Sequence, residues 1–296
     1  MISEQEIQIF KLLPLTVSDL ADKLKIYPGS ITKITKKLIN NGLAKKQRKG
    51  KHVTISREQT IHAQKLEEAF KAFPRLKLEK ILSYSNLKVI ANLEYPLNKK
   101  EIDYITNISR QWTYRIIRNL SRYGIILKNQ NMYYINPTHH LLFEFAKEYY
   151  NYKNHQKLKS ISEDAQILWQ HGNEFLFKTK KTLTKYPVTA VTAFSKYNLP
   201  LLGDTKYYYN TTRKLKTTDV ILHTILINPQ SKTYNAYACL LYEKTKPLDI
   251  IKKARIYNLT EHVKALISFL QEHRSEKKFL PTWDEYESLA KQYGIR

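Results

Sequence analysis

Apolar positions at helical spacing mark two stretches of the chain that repeat one another. Residues 14–43, PLTVSDLADKLKIYPGSITKITKKLINNGL, lie without a gap over residues 96–125, PLNKKEIDYITNISRQWTYRIIRNLSRYGI, at a shift of 82 positions (96 − 14). Pro14 falls on Pro96, Leu15 on Leu97, Leu20 on Ile102, Ile26 on Ile108, Ile34 on Ile116, Leu38 on Leu120 and Gly42 on Gly124. Thr16 followed by Asp19, and Asn98 followed by Glu101, are cap and third-position pairs that start a short helix. The pattern predicts that this helix ends near Leu24 or Thr106. A second helix follows over about 29–41 and 110–123. Its expected buried stripe is Ile31, Ile34 and Leu38 in the first copy, and Trp112, Ile116 and Leu120 in the second. Gly42 and Gly124 stand where a helix end calls for a left-handed residue. Each is followed by a predicted hairpin, LAKKQRKGKHVTIS turning near Lys49-Gly50 and IILKNQNMYYIN turning near Gln130-Asn131.

Two short helices with a tight turn and then a hairpin follow the order of a winged helix-turn-helix. Both segments resemble the DNA-binding domain of MarR-like and related prokaryotic regulators. The resemblance rests on Leu20, Ile26, Ile34, Leu38, Gly42 and Leu43, and on Ile102, Ile108, Ile116, Leu120, Gly124 and Ile125, and covers about residues 5–58 and 85–137. It implies that the second helix of each copy enters a major groove and presents its non-core face to bases and phosphates. That face offers Ser30, Thr32, Lys33, Lys36 and Lys37 in the first copy, and Arg110, Gln111, Tyr114, Arg115, Arg118 and Arg122 in the second. Arginine pairs bidentately with guanine, glutamine with adenine, and lysine with phosphate. The resemblance also implies a wing that reaches the minor groove or the flanking backbone. Lys45, Lys46, Arg48, Lys49 and Lys51 crowd the first wing; Lys128, Asn129 and Asn131 supply a less charged second one. The first copy is therefore expected to clamp phosphates and the second to do more of the base reading.

Charge agrees without deciding the matter. The 296 residues carry 50 Lys+Arg against 26 Asp+Glu, a net +24 that attracts polyanions. The excess is spread out: 12 − 5 = +7 over residues 1–60, 13 − 6 = +7 over 61–138 and 25 − 15 = +10 over 139–296. Ordinary basic surface, of the kind thermophile proteins carry, would give the same total. More telling, no acid occurs from Lys23 to Arg57 or from Tyr104 to Phe143, although residues 175–203 are acid-free too without any such motif.

The expected organisation is mainly α, with two tandem winged helix-turn-helix domains at 1–60 and 85–138, a helical linker at 61–84 broken at Pro74, a connector helix at 139–160, and a smaller α/β or α+β domain at 161–296. Leu66, Phe70 and Leu76 in the linker suit packing better than dimerisation. In the last domain, strands are expected at 174–179, 205–211, 218–228 and 233–243, with helices near 188–198, 247–273 and 282–293. Its tyrosines, Tyr207, Tyr208, Tyr209, Tyr234, Tyr237 and Tyr242, fit half-buried strand positions, and Cys239, the one cysteine, a buried core thiol. The segment VTAVTAFSKYNLPLLGDTKYYY is similar to the C-terminal domain of AbiEi-type antitoxins, whose fold is nucleotidyltransferase-like. Nucleotidyltransferases need a Gly-Ser pair and paired carboxylates; here no Gly-Ser precedes Asp204 and Asp219, which stand apart. The resemblance thus implies a non-catalytic relative.

No Gly-rich phosphate loop, H-E-x-x-H, G-x-S-x-G or Cys/His ligand set is present, so no enzyme, cofactor or metal is expected. No apolar run approaches the roughly 18 residues a membrane span needs, and the acidic, amphipathic MISEQEIQIF is unlike a secretory signal, pointing to the cytoplasm. The function expected is a sequence-specific regulator of transcription, a repressor rather than an activator, binding double-stranded DNA. Residues 161–296 would serve a partner protein, a small effector or homodimerisation. A plasmid or virus replication initiator and an antitoxin-like autoregulator are the alternatives.

Overall fold

The computed structural model describes residues 2–49, 52–201 and 203–295. The chain divides into two compact units, Met1–Lys153 and Asn154–Arg296.

The first unit contains the repeat. Helix α1 (Glu4–Leu12), strand β1 (Leu15–Thr16), helices α2 (Val17–Leu24) and α3 (Pro28–Asn40), and strands β2 (Ala44–Lys49) and β3 (His52–Arg57) form its first copy. After α4 (Ile61–Ala72) and the single turn α5 (Leu78–Ile81), the order returns as α6 (Tyr84–Ala91), β4 (Leu97–Asn98), α7 (Lys99–Thr106), α8 (Arg110–Arg122), β5 (Ile126–Asn129) and β6 (Met132–Ile135). Both sheets are antiparallel, ordered β1-β3-β2 and β4-β6-β5.

Local chemistry explains why the copies coincide. The Thr16 hydroxyl accepts from the Asp19 N–H at 3.1 Å while the Asp19 carboxylate accepts from the Thr16 N–H; Asn98 and Glu101 repeat this exchange at 3.1 and 2.8 Å. Each pair satisfies two amide donors that a helix start leaves open. Both short helices end on a left-handed residue, Lys25 and Asn107, again 82 apart (107 − 25). Gly42 and Gly124 adopt φ of +68° and +69°, and the following amides, of Leu43 and Ile125, close back onto the Leu38 and Leu120 carbonyls. Even the tie beyond each hairpin recurs: the Thr60 hydroxyl donates to the Gly42 carbonyl and the Asn136 side-chain amide to that of Gly124.

Burial corrects the expected stripes in detail. In α3, Ile31, Thr35 and Leu38 are buried and Ile34 only half so. In α8 the buried residues are Thr113, Ile116, Ile117 and Leu120, whereas Trp112 is 48% exposed. Hydrophobicity placed Trp112 in the core, but at 3.6 residues per turn it falls a quarter-turn from the centre of the buried arc. Between the copies, the break at Pro74 occurs as expected, and Phe70 of α4 stacks on Phe10 of α1 at 6.3 Å, a packing role. The long helix α9 (His140–Ile161) follows, and the division between units falls within it.

The second unit departs further from expectation. Strands β7 (Gln166–His171), β8 (Glu174–Thr179) and β9 (Lys206–Asn210) form an antiparallel sheet ordered β7-β8-β9, with a 3-10 segment at Ala190–Tyr197. Five helices then follow: α10 (Thr217–Ile227), α11 (Lys232–Thr245), α12 (Ile250–Ala254), α13 (Thr260–Glu272) and α14 (Trp283–Gln292). Residues 218–228 and 233–243, expected as strands, are thus helices. In α10 every residue from Thr218 to Leu226 is buried, so no polar face marks the helical period. Its β-branched residues then mimic a strand. Tyr234, Tyr237 and Tyr242 accordingly lie on α11 rather than on a strand, while Tyr207, Tyr208 and Tyr209 are buried in β9. Strand β7 has no counterpart among the expected strands. With its strands first and its helices after, this unit is α+β with an antiparallel sheet, not the alternating α/β order. A core of Leu158, Phe175, Phe177 and Tyr208 covers one part of the sheet. Cys239 is buried, and burial raises its thiol pKa.

The chain is mainly helical with small three-stranded antiparallel sheets. Among the described residues, no helix is long and apolar enough to cross a membrane.

Candidate nucleic-acid interface

Helix α3 turns Ser30, Thr32, Lys33, Lys36 and Lys37 outward, all exposed. Lys46 and Arg48 on β2 are exposed as well, whereas Lys45 is half-buried and paired with Glu58 at 3.3 Å. That acid sits one position beyond the acid-free stretch, so Lys45 is partly neutralised. The Lys49 side chain and Lys51 lie outside the described residues. Lys36, Lys45, Lys46 and Tyr152 line a concave groove where α3 meets β2. Tyr152 also explains the first glycine: a Cβ on Gly42 would come within 2.4 Å of its ring, while one on Gly124 would meet nothing within 4 Å.

Helix α8 exposes Arg110, Gln111, Tyr114, Arg115, Arg118 and Arg122, and Lys128 is exposed on β5. At 3.6 residues per turn, Gln111, Arg115, Arg118 and Arg122 share the side opposite the buried arc. Trp112 and Tyr114 border this cationic stripe on its two flanks. A cation accompanies each ring: the Arg115 guanidinium lies 6.0 Å from the Trp112 centroid, and the Lys99 ammonium of α7 lies 5.1 Å from that of Tyr114. Lys128 similarly approaches Tyr133 at 5.8 Å. Among the described residues, no carboxylate forms an ion pair with Lys33, Lys36, Lys37, Arg110, Arg115, Arg118 or Arg122. The sequence reading named the polar residues that α3 and α8 expose here, but it placed Trp112 in the core and did not single out Lys99.

A second titratable cluster lies in the other unit, and the sequence did not disclose it. Arg213 grips the Glu174 carboxylate of β8, with Nε 3.2 Å from Oε1 and Nη2 3.2 Å from Oε2, and donates through Nη1 to Asp219 at 3.0 Å. Lys253 adds a second cation to Asp219 at 3.3 Å, and the Lys216 amide and the Tyr257 hydroxyl also donate to it. Glu174 further accepts from the Tyr209 and Thr211 hydroxyls. Asp219 is therefore not the isolated acid that the sequence suggested. Its partners come from 34 residues ahead (253 − 219), and Arg213 joins it to a strand 39 residues behind (213 − 174), spacings that no local pattern reveals. Burial by itself would raise the Asp219 pKa, but the charges of Arg213 and Lys253 and the Lys216 N–H outweigh it and hold the carboxyl below its usual range. Burial pushes Glu174 upward against the pull of Arg213.

His223 sits behind this pair, with Nδ1 2.7 Å from the Thr189 hydroxyl, Nε2 3.0 Å from that of Tyr257, and its ring stacked on Tyr209 at 4.0 Å. Burial depresses its pKa to about 3, so it is neutral at physiological pH. Two buried acids face two buried cations, Lys253 also reaches the more exposed Asp249 at 3.6 Å, and the network ties the sheet to α10 and α12. Such a set fixes geometry. Among the described residues, no group of three or more His, Cys, Asp or Glu side chains is placed to hold a metal ion.

Comparison with known proteins reaches only the second unit: the family described as HVO_2833_C, C-terminal, matches residues 183–295, less than half of the chain. No curated protein and no solved structure matches the chain.

Proposed function

We propose that the chain is a sequence-specific regulator of transcription, a repressor, that binds double-stranded DNA through two tandem winged helix-turn-helix modules of the MarR-like kind. One observation carries the reading: α3 and α8 stand in the same frame, each with an exposed, unneutralised cationic face. A polyanion is the partner such a surface suits, because each phosphate met by Lys or Arg releases condensed counterions. The pairing of two such helices with hairpins that follow them favours a duplex, whose major groove admits a helix. Two modules in one chain would engage neighbouring groove segments and give a monomer the reach of a dimer.

The second unit, in this reading, takes a partner protein or a small effector, or joins two copies of the chain. An antitoxin-like protein that represses its own operon is a special case of the same mechanism. The protein acts by binding and not by catalysis, in the cytoplasm. Titration of the full chain with duplex DNA at 50 and 200 mM salt tests the reading. Neutralisation of six to ten phosphates weakens affinity by roughly 10³–10⁵ between these salts; absence of duplex affinity at the lower salt removes the proposal.

A further inference from the structure

The first turns of α3 and α8 differ at two equivalent positions that flank the cationic stripe. Where the first copy has Ser30 and Thr32, the second has Trp112 and Tyr114, in each case 82 positions on (112 − 30 and 114 − 32). Both rings are open to solvent, Trp112 by 48% and Tyr114 by 54%. Large apolar surface left in water costs free energy that a bound partner would recover. The partner must also suit the surroundings, which are Arg110, Arg115, Arg118 and Arg122 on the same helix with no acid from Tyr104 to Phe143. An acidic partner with an apolar spot is required.

Duplex DNA meets both conditions. The residues at the N-terminal end of a reading helix approach base edges most closely. Trp112 is the third residue of α8, its amide capped by Ser109 at 3.3 Å. On the floor of the major groove the apolar group available is the C5-methyl of thymine. Resting on the DNA-binding reading above, we propose that Trp112, with Tyr114 on the opposite flank, makes the second copy selective for thymine opposite the first turn of α8. The first copy has Ser30 in the place of Trp112 and so lacks the ring that makes this contact. Arg115, held beside the indole, carries the charge that keeps the ring against the groove.

The test uses the full chain and a randomised duplex pool, selected separately with the wild type and with Trp112→Ser, a residue that the first copy already accommodates at the equivalent position. The wild-type consensus should contain a thymine that the variant consensus loses. Replacing that thymine by deoxyuridine, which removes only the methyl group, should weaken wild-type binding about fourfold, the burial of one CH₂ group expressed as a ratio. Trp112→Ser should bind both duplexes equally, and Trp112→Phe should retain the penalty. The inference fails if deoxyuridine is silent in the wild type, a result that needs no variant to fold. It fails equally if Trp112→Ser keeps the full penalty, or if single strands compete as well as duplex, which would mean that the rings stack on unpaired bases. Enrichment of no duplex at all would instead remove the DNA-binding reading on which it rests.

Discussion

The two copies of the repeat share a frame and differ in the face they present. Cap, left-handed helix end, glycine and strand start coincide at a constant 82-residue shift. Outwardly, α3 offers Lys33, Lys36 and Lys37 beside small hydroxyls, while α8 offers Arg115, Arg118, Arg122 and Gln111 between two aromatic rings. Lysine is a mobile point charge suited to phosphate; arginine is a planar fork suited to a guanine edge. A shared scaffold with divergent outer residues is how one chain would obtain an anchor and a reader from one fold.

The largest expected difference between the copies is structural. Gly42→Ala should cost about 2–4 kcal/mol, since an L-residue is strained at this φ and its methyl would strike Tyr152. Gly124→Ala, with the same φ but open space, should cost only about 1–2 kcal/mol. Urea unfolding of the two variants measures the contrast, and equal losses would show that Tyr152 yields. Next comes specificity. Arg115→Ala or Gln111→Ala should lose about 1–3 kcal/mol on one base pair and little elsewhere, whereas Lys33→Ala should weaken every duplex alike. Binding to a panel of single-base variants separates these patterns.

A smaller effect distinguishes the second unit from the repeats. Because His223 is held neutral with a pKa of about 3 against an ordinary 6.5, its contribution is complete above pH 6.5 and is lost as pH falls toward 3. At pH 5.5 the unfolded chain gains about 1.4 kcal/mol by protonating this one histidine. Calorimetry between pH 7 and 5.5 should find the transition of the second unit lowered, and His223→Gln should remove that part of the shift. No change between wild type and variant would contradict the assignment.

The repeat was legible because its signals are local. A cap and its acid lie three residues apart, and a glycine ends each helix. Both act through the backbone of their own turn, so sequence spacing is enough to find them. The second unit hid its order for the opposite reason. Helix α10 is buried on every side and shows no amphipathic period, and the Glu174–Arg213–Asp219–Lys253 network joins residues that only the fold brings together. Trp112 misled in another way. Its hydrophobicity argued for the core, but the direction of its side chain, set by its place on the helix, did not.

Whether both cationic helices meet a duplex decides between a tandem reader and a chain with one working module. The direct measurement is the slope of log affinity against log salt for the wild type, Lys33→Ala/Lys36→Ala and Arg118→Ala/Arg122→Ala on one duplex. Each double variant should flatten the slope by about 1.8, at roughly 0.9 for each phosphate no longer neutralised. An unchanged slope in either variant would leave that helix off the DNA and contradict the tandem arrangement.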